Sequence, residues 1–159
     1  MDKMNEVNKP DQIEENIAYW MCDVPDWIGD KSGWGYTKDD AMIMACKDSQ
    51  TGVHNEYLFA EYRSRIEVRE ILEMVYVGFE RRMQGFVQED GCNYDVLQFN
   101  VCFLTNEDWL FLKNDYESHN NYAGDEVGLK KHHELRNQRI KYYTSECWIN
   151  IDSFYGKKC

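Results

Sequence analysis

The chain has 159 residues, of which 43% are hydrophobic and 14% aromatic, enough to build one core and too apolar for a disordered segment. Its formal charge is −11 at pH 7 with a pI near 4.8, a balance that repels nucleic acid and anionic lipid and suits a basic partner. No run of about 18 apolar residues is present to cross a bilayer.

Residues 1–9 read as a flexible N-terminal lead-in, and residues 10–159 as a single domain. Pro10 suits a first helical turn, and Ile13, Ile17 and Trp20 or Met21 then fall on one face of a helix opened by acidic residues. Residues 23–36 hold Pro25, Gly29, Gly33 and Gly35 and form a loop carrying Trp27 and Trp34. Thr37 and Asp40 have the spacing of a capping pattern ahead of the apolar run AMIMAC, residues 41–46. That run predicts a central strand, paired across the KDSQTG turn with a second strand over VHNEYLFAEYR, residues 53–63.

Ser64 and Glu67 have the spacing of a capping box, which predicts a helix over about 65–84. Val68, Leu72, Val75 and Phe79 would mark its buried stripe, and Gly85 its end. After the turn-rich QEDGCNYD, Leu97, Phe99, Val101 and Phe103 alternate with polar or small residues, the signature of a strand. Thr105 caps a helix running to about His119. The polar HNNYAGDE leads into a basic helix over about 129–143, and the strand CWINIDSFY closes the chain, with Cys147, Ile149 and Ile151 sharing one face. The expected class is α+β, a mixed or antiparallel sheet packed with about four helices.

The six cysteines include no CxxC pair and no zinc-type spacing, and no N-x-S/T site occurs. With no apolar signal core in residues 1–20, the chain reads as cytoplasmic with reduced thiols. Phosphate-binding glycine loops, nucleophile elbows and H-E-x-x-H are absent, so no metal site and no cofactor are expected. His132 and His133 are adjacent and point about 100° apart on a helix, which reads as a solvated pair. On an extended strand, His54 and Glu56 would share a face, giving the catalytic candidates: a carboxylate able to orient an imidazole.

Aromatics are in excess, with 5 Trp and 11 Tyr. Trp27, Trp34 and Tyr36 lie among Asp26, Asp30, Asp39 and Asp40, the composition of a partner-binding face, because rings anchor interfaces and carboxylates speed encounter with a basic protein. The first reading is therefore a small acidic protein-binding module of the inhibitor or immunity type, engaging a basic protein. Two alternatives stand beside it: a small hydrolase-like enzyme with its site around His54, and a homo-oligomeric scaffold, such as a homodimer.

Overall fold

Asp48 stands in extended backbone (φ −143°, ψ 159°), and its carboxylate accepts the backbone N–H of Thr51, opening an 18-residue helix, α1, over Ser49–Ile66. In the computed structural model, which describes residues 5–11, 13 and 26–156, α1 replaces the strand expected over residues 53–63. Its inward stripe runs Gly52, Asn55 and Glu56, Phe59 and Ala60, Arg63 and Ser64, Ile66, a helical spacing filled half by polar side chains. Hydrophobic periodicity therefore could not reveal it. Ser64, expected as a cap, is buried in the helix interior, and its hydroxyl donates back to the Ala60 carbonyl at 2.7 Å.

A π-helical turn follows over Glu67–Ile71, and Glu73 then takes a left-handed φ of 52°. The chain next extends as β3, Val75–Glu89, where a helix was expected. The strands are β1 (Asn5–Glu6), β2 (Met42–Ile43), β3, β4 (Cys92–Leu104) and β5 (Lys141–Asn150). β3 and β4 form a long antiparallel hairpin, turned by Asp90 and Gly91, both left-handed. Its register slips between Tyr76 and Gly78 and again between Arg81 and Met83. These bulges break the two-residue alternation of the strand, so apolar residues fall at spacings of three and four and imitate a helix.

β5 is the pivot of the sheet. One of its edges pairs antiparallel with β4, and the other pairs in parallel with β1 and β2, end to end. Asn5 and Glu6, inside the expected lead-in, thus belong to the sheet. β2 meets the expectation of a strand within AMIMAC, but its partner is β5 rather than residues 53–63. Beyond β4 stand the two expected helices, α2 (Asn106–Ser118), which Thr105 caps through Asp108 N–H, and α3 (Glu126–Arg139), which ends earlier than expected because residues 141–143 open β5. Three α-helices and five strands are present among the described residues, an α+β fold with a mixed sheet. The helix expected over residues 10–21 lies almost wholly outside the described residues; Ile13, described, is buried in the core.

The two faces of the sheet bury different partners. α1 and the loop 26–46 cover one face, where Phe59, Ala60, Val68 and Trp34 meet Leu97, Phe99, Val101, Tyr143, Cys147 and Ile149. α2 and α3 cover part of the other, around Cys102, Leu104, Leu112 and Ile140. Cys147 and Ile149 share the buried face expected of them, while Asp152 lies past the end of β5. Among the described residues, Cys46, Cys92, Cys102 and Cys147 form no disulfide. No helix among the described residues is long and apolar enough to cross a membrane.

Candidate functional site

The glycine-rich loop is a clasp built around Asp40. The N–H of Gly35 donates to the Asp40 carbonyl at 2.6 Å, and that of Trp34 to the Asp40 carboxylate at 3.3 Å. Gly33 passes so close to Asp40 that any Cβ would overlap it, and Gly35 (φ 78°) lies against the backbone of Trp148, whose N–H it accepts at 2.7 Å. This geometry carries Trp34 inward. Only 3% exposed, it stacks on Phe59 and Tyr62 at 5.7 and 6.4 Å between centroids.

Tyr36 also turns inward. Its hydroxyl donates to Glu67 at 2.8 Å, and its ring lies between Arg63 and Lys9. Two of the three rings expected on a partner-binding face are thus structural, drawn in because the clasp docks on β5 and their apolar area is buried there. All four aspartates are exposed, and the Asp40 carboxylate also accepts the Trp34 N–H. Trp27 keeps an open side, its ring meeting Phe59 edge-on at 6.5 Å.

Trp27 stands between two clefts on α1. One, of about 400 Å³, is lined by Asp26, Trp27, Lys47, Asp48, Thr51 and Asn55 among others. The next, about 350 Å³, is lined by Trp27, Leu58, Glu61, Tyr62 and Arg65. Arg65 then enters a third and larger one, about 890 Å³, shared with Arg69, Glu73, Tyr76, Asn106 and Trp109. Thr51, Asn55, Leu58, Tyr62, Arg65 and Arg69 follow a three- or four-residue spacing, one stripe of α1 continued through the π turn. Successive clefts share a wall, at Trp27 and then at Arg65, so the three lie in a row as an open groove along that stripe.

His54 and Glu56 are separated by the helix. Two residues apart on α1 they point to opposite sides, His54 into solvent and Glu56 fully into the core, so the shared face expected of them does not form. Burial pushes the Glu56 carboxyl up to about 9, helped by Asp95 beside it, and Gln84 donates to both carboxylates at 3.5 and 3.3 Å.

A second titratable cluster was not visible in the sequence. His132 is buried, with Nδ1 2.8 Å from an Asp115 carboxylate oxygen that also accepts the Tyr122 hydroxyl at 2.7 Å. The two donors, His132 first, hold the Asp115 carboxyl below its ordinary value. Its neighbour His133 is exposed as expected. Asn120, Asn121 and Tyr122 are all left-handed, and that tight turn aims Tyr122 at Asp115. Seventeen residues separate Asp115 from His132, and no local motif links them. The groove on α1 is lined by none of these residues. No group of three metal-ligating side chains occurs among the described residues. Compared with known proteins, the chain matches no family model, no curated protein and no solved structure.

Proposed function

We propose that this chain is a small acidic protein-binding module that engages a basic protein through the groove on α1. The observation carrying this reading is the continuity of the three clefts along one helical stripe. An open, elongated trough suits a segment of another protein, whereas small-molecule sites enclose most of the ligand surface. Trp27, half-buried at a shared wall, has the character of an interface anchor. Asp26 beside it, with exposed Asp30 and Asp39 on the same loop, supplies carboxylates to basic side chains.

The groove is tested by capture from lysate of the source cell, comparing the wild type with Trp27→Ala combined with Leu58→Asp. The expected result is loss of specifically captured protein from the variant, with its thermal unfolding retained. An undiminished captured set from a folded variant overturns the assignment of this surface.

A further inference from the structure

Among the described residues β3 is the last strand of the sheet, paired only with β4, so its outer edge presents backbone N–H and C=O groups to no other described strand. The inner half of this edge is guarded in two usual ways, by the bulges at Tyr76–Gly78 and Arg81–Met83 and by the charges of Glu80, Arg81 and Arg82. The outer half has neither protection. From Met83 the ladder to β4 is regular, and M-Q-G-F-V-Q, residues 83–88, contains no charge and no proline in a chain that is 30% charged. Met83 is 62% exposed and Phe86 47%, and the space around Gly85 is open. Phe86 stacks on Tyr155 at 5.1 Å, making an exposed pair of rings beside the edge.

We propose that Met83–Glu89 is a self-pairing edge through which two copies of this chain join their sheets antiparallel about a two-fold axis at Phe86. That register is the one the side chains favour. It sets Phe86 against Phe86 of the second copy, with the two Phe86–Tyr155 stacks adjoining, and places Gln84 opposite Gln88 on the same face. It also turns the basic end of the segment, Arg81 and Arg82, towards the acidic end, Glu89 and Asp90, of the second copy, where Lys38 neutralises part of that acidic charge. This pairing leaves the α1 groove outside the contact and is independent of what that groove binds.

Sedimentation of the full chain from about 1 to 100 µM tests the pairing, with reversible dimerisation expected. Phe86→Lys is expected to raise the dissociation constant at least tenfold. Phe86→Cys, lying on the axis, should cross-link to itself under mild oxidation, while Gln84→Cys should not, since residue 84 faces residue 88. A strict monomer at the highest concentration, a dimer indifferent to Phe86→Lys, or equal cross-linking by the two cysteine variants overturns the proposal. Hydrogen exchange gives a readout that needs no variant: amides of residues 83–89 slow with concentration if the edge pairs, and unchanged rates overturn it.

Discussion

Arg63 is fully buried and joins three parts of the chain. Its guanidinium donates to the Trp34 carbonyl at 2.8 Å, the Ser145 hydroxyl at 3.1 Å and the Glu146 carbonyl at 2.7 Å, while its plane faces the Tyr36 ring. One turn on, Glu67 accepts the hydroxyls of Tyr36 and Tyr143 at 2.8 and 3.2 Å. Burial and the Glu67 carboxylate raise the Tyr143 phenol far above its ordinary value, so it stays a donor. Arg63→Ala should lower stability by about 3–5 kcal/mol, read from urea unfolding, because it leaves Glu67 buried without its neighbouring cation. Arg63→Lys should recover little of that loss, since an ammonium cannot span the same three acceptors.

Glu56 gives a pH dependence of defined sign. Its folded value near 9 lies above the ordinary carboxyl value of 4.5, so the folded state holds a proton that the unfolded chain releases. The stability contributed by that proton is complete below about pH 4.5 and falls as pH rises towards 9. Glu56→Gln, which keeps the shape without the ionisation, should flatten the decline between pH 5 and 9 in thermal melts. An unchanged slope would place the ionisation elsewhere.

Among the elements, α1 shows why part of the fold was hidden. Its N-terminus reads in sequence as a hairpin turn, although Asp48 there caps the helix through Thr51 N–H, and Asp48→Ala should cost about 1 kcal/mol in chemical denaturation. Its body was not legible either, because Asn55, Glu56, Arg63 and Ser64 occupy the inward stripe and two of their partners, Gln84 and Ser145, come from distant segments. β3 failed in the opposite way, its bulges lending a strand the spacing of a helix. β4 and α2 were legible because nothing non-local disguises them: β4 alternates cleanly and Thr105 caps α2 in place. Of the candidate site, the sequence indicated Trp27 and Asp26 and missed the groove, since no spacing announces that Thr51, Leu58 and Arg65 share a stripe until 49–66 is known to be helical.

For the whole molecule, charge is distributed unevenly along the chain. Residues 1–62 hold 13 acids against 5 bases, and residues 130–159 hold 3 against 7. Some of these charges are spent internally, as where Arg139 pairs with Asp108 and Lys38 with Glu89 and Asp90. Asp26 lines the groove and Asp30 is exposed on the same loop, so in the proposed complex both would act on encounter over about a Debye length. The double charge reversal Asp26→Lys with Asp30→Lys should slow association with a captured basic partner roughly tenfold at low salt, as timed by surface binding. The difference should shrink as salt rises, while the melting temperature holds; equal rates at every salt concentration would remove these two aspartates from the encounter.

The central position of β5 also governs the order in which the molecule is assembled during synthesis. The strand that joins β1, β2 and β4 is completed only at Asn150, so the first 140 residues leave the ribosome without the element they surround. The β3–β4 ribbon and the α2–α3 pair can form as they emerge, being local in sequence. β1 and β2 must wait, with β4 holding an unsatisfied inner edge, until β5 threads between them. A nascent chain stalled before residue 141 is therefore the form of this protein most exposed to aggregation and most in need of a chaperone.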